Sequence, residues 1–435
     1  MRDPILRYAI SPLVAIATGS LRKYRFLSRL QWDRETLQKW RNERIRELIA
    51  HAYSSVPFYR EAYDSLNPSI SNVRKAEDLG RLPIVSKGSM KNSFPHKTVS
   101  STISNRRRKL AQTSGTGRMF EFYSDKDATG FVLASRLLFE SWMGLRFGDK
   151  TAMLTDQPSG RTMLIGEVRV PVSRLTRDSS AAVRLIRSLH PASLLGDVSV
   201  LSSLANRILR ASVDATMGLR GIATIVEVLL PNHRDLIERA FNSPVFDRYG
   251  LSEVAGYVAQ ECSEHKGLHV NEGMALVEVV TKDGELCGPG ETGRLIVTNL
   301  HNYVMPFIRY ESGDLATVGD ECPCGRAFPV LARIEGRSPG WVLTQSYPIS
   351  WTSYLVPLLS IRLPLIEQFQ FVQSKVGELT LLVAPRTALT TQEIQTLTQR
   401  LNSVNPLVRV RLEEVDYIER TASGKHILFK QLKAE

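Results

Sequence analysis

Cysteine is scarce, four residues in a chain of 435. That is too few for a disulfide scaffold at this length, and it suits a reducing compartment, so the fold must rest on hydrophobic burial. Acidic residues are outnumbered, 44 against 56 Lys and Arg, which leaves a formal charge of +12. No internal repeat or low-complexity tract stands out, which argues against solenoid and disordered classes. The apolar stretch from Tyr8 to Gly19 is interrupted by Pro12 and falls short of the about 20 residues that cross a bilayer. Ala15-Ile16-Ala17 only loosely mimics a signal-peptidase site, so the cytoplasm is the expected location. Residues 5–25, ending on Arg22, Lys23 and Arg25, can instead rest on an anionic membrane surface.

The remaining composition, 43% hydrophobic and 23% charged, is that of a folded globular chain too long for one core. Helical periodicity alternates with short apolar strands, an α/β pattern. A helix is expected from the N-cap Asp33 to Val56-Pro57, and a second, capped near Asp125, carries Phe131, Ala134, Leu137, Leu138 and Trp142 on one face. Strands are expected at Ile222–Leu230, Ala275–Val280 and Arg294–Thr298. Beyond Gly336-Arg337-Ser338-Pro339-Gly340 the pattern changes to a hairpin at Gly377, a helix over Thr391–Asn402 and a strand over Val408–Ile418. This places a boundary at about residue 336, with domains 1–336 and 337–435.

Four segments can carry chemistry. Gln112-Thr113-Ser114-Gly115-Thr116-Gly117-Arg118 is a hydroxyl and glycine loop whose backbone can approach and cradle phosphate oxygens. The run Arg106-Arg107-Arg108-Lys109 just before it favours an anion, and no lysine closes the loop as a Walker loop requires. In Asp247-Arg248-Tyr249-Gly250-Leu251-Ser252-Glu253 an aromatic ring can stack on a purine and a carboxylate can hold magnesium, at the end of an expected strand. Asp314, in Arg309-Tyr310-Glu311-Ser312-Gly313-Asp314, can accept both hydroxyls of a ribose. Lys425, in Thr421-Ala422-Ser423-Gly424-Lys425, is long enough to bridge a carboxylate and an α-phosphate. Taken singly, each segment reads more readily as an ordinary turn or a solvated side chain.

Their order along the chain resembles the adenylate-forming superfamily of acyl-CoA synthetases. His51-Ala52-Tyr53-Ser54-Ser55-Val56-Pro57-Phe58-Tyr59, Gly267-Leu268-His269-Val270 and Cys322-Pro323-Cys324-Gly325-Arg326 are similar to the branch holding phenylacetate-CoA ligases, capsule-cluster (CapK-like) proteins and coenzyme F390 synthetases. The resemblance implies a large N-terminal domain of stacked α/β sheets with a small mobile C-terminal α+β domain, ATP, Mg2+ and coenzyme A as cofactors, and a small carboxylic acid as substrate. It implies that Thr113, Ser114, Gly115, Thr116 and Gly117 grip phosphates, that Tyr249 with Gly250 lies at the adenine, and that Glu253 binds magnesium. Asp314 would hold the ribose with help from Arg337, and Lys425 would serve adenylation. Two departures matter. The loop is one residue shorter than Thr-Ser-Gly-Thr-Thr-Gly, with Met119 where proline is usual, and the hinge lacks the acidic pair of Gly-Arg-x-Asp-Asp.

Cys262, His265, His269, Cys322 and Cys324 offer the thiolate and imidazole set of a closed structural zinc site, with either histidine as fourth ligand; the alternative is a set of reduced, buried thiols. Cys287 reads as a free thiol. Three other readings stay open: transfer of the acyl group to a protein thiol or sugar amine, a nucleotide-binding protein without catalysis, and a nucleic-acid-binding module drawn to the +12 charge. Nucleic acid is not an expected partner under the main reading, and a homodimer is compatible with it.

Overall fold

The computed structural model describes residues 18–64, 73–113, 120–155, 166–175, 178–337, 341–342, 344, 349–350, 354, 366–385, 387–419 and 427–431, apart from a few side chains within them. Ser114, Gly115, Thr116, Gly117, Arg118 and Met119, the hinge residues Ser338–Gly340, Lys425 with the four residues before it, the side chain of Arg337, and residues 5–17 lie outside this description. The chain divides into two compact units, Met1–Ile334 and Glu335–Glu435.

In the first unit, helices α1 (Ser20–Leu30), α2 (Arg34–Ser55), α3 (Pro57–Asp64) and α4 (Lys87–Ser93) precede a hairpin of β1 (Arg108–Gln112) and β2 (Glu121–Asp125). Asp33 caps α2, accepting from the Thr36 N–H at 3.0 Å, as its position before the helical periodicity predicts. Asp125 caps a short 3-10 turn, Lys126–Ala128, which leads into α5 (Thr129–Trp142), three residues later than a cap at Asp125 alone implies. There follow β3 (Thr151–Leu154), β4 (Glu167–Val170), α6 (Ser179–Ser188), β5 (Ser193–Asp197), α7 (Val198–Arg210), β6 (Gly221–Ile225), α8 (Pro231–Phe241) and β7 (Val245–Leu251). Next come β8 (Gly256–Glu261), β9 (Leu268–Val270), β10 (Ala275–Val280), β11 (Thr292–Asn299), β12 (Tyr310–Val318) and β13 (Val330–Arg337).

Strands β3 to β13 form one sheet of 11 strands in the order β10-β11-β12-β13-β9-β8-β7-β6-β5-β3-β4. From β4 to β7 the pairing is parallel, with α6, α7 and α8 packed on one face over Leu194, Ile222 and Val245. From β7 through β9 it is antiparallel. Strand β7 is thus parallel to one neighbour and antiparallel to the other. A run of apolar residues buried on both faces suits β6, whose five residues are all buried. The strand stops at Ile225, short of the expected Leu230, because Val226 turns the chain at φ 75°. Another core joins α2 and α3 to the hairpin and to β12 through Ile45, Tyr59, Phe120, Phe122, Phe307 and Tyr310.

The second unit holds the short pair β14 (Trp341–Val342) and β15 (Ile349–Ser350), then β16 (Ile366–Lys375), β17 (Glu378–Pro385), helix α9 (Thr391–Asn402), β18 (Arg409–Glu414) and β19 (Phe429–Gln431). The sheet order is β18-β17-β16-β19. Thr390 and Glu393 close a capping box on α9. Phe371, Leu381, Leu397 and Leu401 are buried in this unit.

Among the described residues no helix is long and apolar enough to cross a membrane. Of the basic residues that open α1, Arg22 and Arg25 are exposed, whereas Lys23 turns inward to the Thr18 carbonyl and lies over the Phe131 ring.

Candidate active site

Strand β7 carries Tyr249 and Gly250 inside its span rather than beyond its end, and the chain then makes one 3-10 turn, Ser252–Val254, that presents Glu253. Gly250 permits this path. A Cβ there would stand 3.1 Å from the Gly256 carbonyl and 3.2 Å from the Tyr257 ring on β8. The Tyr249 hydroxyl donates to Asp314 Oδ2 at 2.6 Å, across 65 residues of sequence. Burial, reinforced by that carboxylate, holds the Tyr249 phenol well above its usual pKa, so it stays a donor. Asp314 is oriented in turn by its own N–H on Ser312 Oγ at 3.1 Å.

Glu253 is buried, and its Oε1 accepts from the Tyr310 hydroxyl at 2.9 Å. Asn299 Nδ2 donates to its backbone carbonyl at 3.0 Å. No partner meets Oε2 among the described residues. A carboxylate oriented through one oxygen and open at the other fits a hard divalent cation. The motif containing Asp314 therefore supplies two side chains to the site, and Tyr310 is the one that sequence reasoning missed.

Thr113 opens the hydroxyl and glycine loop and is fixed at the tip of the β1–β2 hairpin, its N–H on the Phe120 carbonyl at 3.0 Å and its hydroxyl accepting the Phe120 N–H at 3.3 Å. Lys87, at the start of α4, donates from Nζ to Thr113 Oγ1 at 3.1 Å. Val85 Cα bridges to Tyr310 in parallel register, with Val85 N–H on the Arg309 carbonyl and Glu311 N–H on the Val85 carbonyl, both at 2.9 Å. One bridge thus brings Lys87 and Glu253 to the same region. No motif singled out Lys87; its only signal was a lysine just after the helix cap Ser86.

The basic run does not act as one anion patch. Arg107 pairs with Asp125 and, at 3.0 Å, Asp127, and an Arg108 guanidinium nitrogen donates to the Ser100 and Ile103 carbonyls at 3.3 Å each. Arg106 and Lys109 are exposed. Internal carboxylates and carbonyls near the hairpin's base claim the middle of the run.

Just after β8, in β9 and between β12 and β13, Cys262, His269, Cys322 and Cys324 converge, with one ligand atom from each lying within 4.8 Å of all the others. Cys262 and Cys322 Sγ are 3.7 Å apart, and Cys324 Sγ is 3.3 Å from His269 Nε2. His269 Nδ1 lies 3.3 Å from the Phe328 carbonyl, which fixes the tautomer and leaves Nε2 toward the thiols. Burial pushes the Cys262 thiol up to about 12. The geometry chooses between the two candidate histidines and sets His265 aside. Its Nδ1 is 3.2 Å from Glu261 Oε2 and its ring packs on Phe246. Cys287 is half-buried and unpaired with any cysteine.

Beside this cluster, Arg234 grips Glu261 through two contacts of 2.8 Å. Glu261 also receives the Asp247 N–H at 2.9 Å. Asp247 is half-buried, its carboxyl raised to about 7 by desolvation and by Glu261, against the opposing pull of Arg234. On the other face of β7, Phe139 and Trp142 of α5 are fully packed in the core.

An open sheet that changes from parallel to antiparallel at β7, with Tyr249, Glu253, Tyr310 and Asp314 gathered there, defines the fold of adenylate-forming acyl-CoA ligases. The solved 2-hydroxyisobutyryl-CoA ligase in its postadenylation state superposes with a TM-score of 0.76 at 20% identity, over 90% of this chain and 89% of that one. The chain is a homologue of phenylacetate-coenzyme A ligases: that of Thermus thermophilus is 27% identical over 372 residues, 80% of each chain. Protein CapK of Staphylococcus aureus is 23% identical over 355 residues, 78% of this chain and 76% of that one. No protein-family model matches the chain.

Proposed function

We propose that this protein activates a carboxylic acid with ATP and passes the acyl group to coenzyme A. The observation that carries this reading is the pair of couplings Tyr249 to Asp314 and Tyr310 to Glu253 at the parallel-to-antiparallel switch. Ligands of open α/β sheets bind at such switch points. In the first half-reaction a carboxylate oxygen attacks the α-phosphorus, and the bond to the bridging oxygen breaks, so that pyrophosphate leaves. In the second, the thiolate of coenzyme A attacks the acyl carbon and AMP leaves. Phenylacetate-coenzyme A ligases act on phenylacetate by name; for this chain the acid is treated below.

The residues divide the work. Tyr249 offers a ring to the base, and Asp314 accepts the ribose hydroxyls, with Arg337 assisting. Thr113 holds the root of the loop Ser114-Gly115-Thr116-Gly117, and Lys87 beside it places a cation at the phosphates. Glu253, held by Tyr310, would bind Mg2+, which supplies charge neutralisation between two approaching anions. Lys425 would bridge the carboxylate and the α-phosphate. Cys262, His269, Cys322 and Cys324 form a Cys3His set suited to structural zinc. Domains 1–336 and 337–435 carry the two sets of residues, and a cytoplasmic location is consistent with reduced thiols.

The deciding experiment is carboxylate-dependent pyrophosphate release with and without coenzyme A. Release that needs both acid and ATP supports the reading; ATP binding with no acid-dependent release overturns it. For the metal, zinc near one equivalent in protein purified without added metal supports the assignment, and less than about half an equivalent removes it.

A further inference from the structure

Arg248 is the neighbour of Tyr249 but faces the opposite way. Thr224 donates to Asp247 on the Tyr249 side of β6 and β7. Arg248 lies on the other side, with Phe246, beneath α5. There Met143, Leu145, Leu195, Ala223, Ile225 and Phe246 form an apolar cluster against which Tyr257 packs. Arg248 as a whole is 3% exposed. Its Nε donates to Gln260 Oε1, one terminal nitrogen reaches Met143 Sδ at 3.5 Å, and it lies 4.5 Å from the Tyr257 ring centroid and 5.9 Å from that of Phe139. Gln260 is itself pinned by the Phe139 carbonyl at 2.8 Å.

Among the described residues no carboxylate pairs with this cation. Nearby Arg136 is paired with Glu140 at 2.7 Å and with Glu167 at 2.6 Å, and Glu167 also serves Arg169 at 3.0 Å. Three guanidiniums, Arg136, Arg169 and Arg248, thus meet two carboxylates, Glu140 and Glu167. Among the described residues Arg248 is the one of the three with no ion-pair partner. A buried cation is normally paired, because an amide oxygen and a thioether replace little of its hydration. The rim that separates this compartment from the nucleotide side is the carboxyl end of β6 and β7, where the activated carboxylate must lie.

We propose that the acid this protein activates is a dicarboxylic acid, whose second carboxylate docks on Arg248 while the first is adenylated. The inference rests on the adenylation reading above. A planar guanidinium matches a carboxylate through two parallel hydrogen bonds, and the apolar wall of Met143, Ile225 and Phe246 accommodates the carbon frame between the two acid groups. Arg248 is on this account the residue that determines specificity.

The test compares matched acids in pyrophosphate release: 4-carboxyphenylacetate against phenylacetate, and adipate against hexanoate, in the wild type, Arg248→Met and Arg248→Lys. The wild type should favour the diacid of at least one pair by ~10-fold or more in kcat/KM. Arg248→Met should abolish that preference through KM for the acid while the KM for ATP holds, the scale of one lost charge-assisted contact being ~10–10²-fold. Arg248→Lys, which keeps charge but not the fork, should fall between. A merely structural arginine would lower the rates with both members of a pair alike. Wild-type preference for the apolar member of both pairs overturns the proposal whether or not the variants fold, as does a ratio unchanged in a folded Arg248→Met. If the wild type releases pyrophosphate with none of the four acids or with any broader panel, adenylation itself fails and the proposal falls with it; release with apolar acids alone leaves adenylation standing.

Discussion

Replacing Tyr310 by Phe isolates the hydroxyl that orients Glu253. Tyr310 is fully buried and packs edge-on against Phe307 with ring centroids 5.1 Å apart, a contact the phenyl ring keeps. The backbone bridge to Val85 is likewise untouched, and Asn299 still holds the Glu253 carbonyl. The 2.9 Å bond to Glu253 Oε1 disappears. A hydrogen bond to a charged group has a net value of about 1.5–3 kcal/mol. At 1.36 kcal/mol per factor of ten, kcat/KM for pyrophosphate release should fall about 10- to 150-fold. Because the loss acts through a carboxylate assigned to magnesium, it should be largest at limiting Mg2+ and shrink at saturation. Thermal unfolding followed alongside should move by a few degrees at most. A Mg2+ dependence identical to that of the wild type would refute the assignment of Glu253, whatever happened to the rate.

Three further outcomes are expected. Lys425→Ala should spare the fold and ATP binding yet cut adenylation at least ~10²-fold, with a smaller effect on thioester formation from supplied acyl-adenylate; equal losses in both steps would show that the lysine is not specific to the first. His301 is held at about 4, mainly by burial, with Nε2 2.7 Å from the Gly273 carbonyl and its ring stacked 3.9 Å from Phe131. The unfolded chain then binds more protons between about 6.5 and 4, so stability is full above that window and declines as pH falls through it, by up to roughly 3 kcal/mol, and His301→Gln should flatten the decline in denaturant titrations. Val226 sits at φ 75°, with Glu227 N–H on the Ile225 carbonyl at 2.9 Å; glycine there should stabilise the fold by about 1 kcal/mol after its own unfolded-state entropy is counted, read as a higher denaturant midpoint.

Much of the fold was legible because local signals agreed with the tertiary answer. Asp33 reads as an N-cap, and the hairpin at Gly377 and the helix over Thr391–Asn402 form where the pattern puts them. Strand ends were less legible. Nothing in Ile222–Leu230 announces that Val226 will adopt a left-handed turn, since Ser199, whose N–H and hydroxyl donate to the Glu227 side chain, stands 28 residues upstream. The candidate site was legible in its named motifs, whereas Lys87 and Tyr310 were not, because each is defined by the Val85 to Tyr310 bridge across more than two hundred positions. The choice of His269 over His265 likewise depends on β9 lying beside β13, where His269 is opposite Val330. The basic run misled for a related reason: Asp125, which neutralises Arg107, faces the run only once the hairpin pairs Arg108 with Asp125.

The pairings at β7 also order events during synthesis. The parallel strands β3 to β7 and their helices are complete once residue 251 has emerged, and they can bury the core of Leu194, Ile222 and Val245 without help from later sequence. The nucleotide side cannot close then, because Tyr249 and Glu253 wait for Asp314 and Tyr310. A nascent chain halted between those points should be compact yet blind to ATP, and ATP capture would time the moment at which the antiparallel half docks.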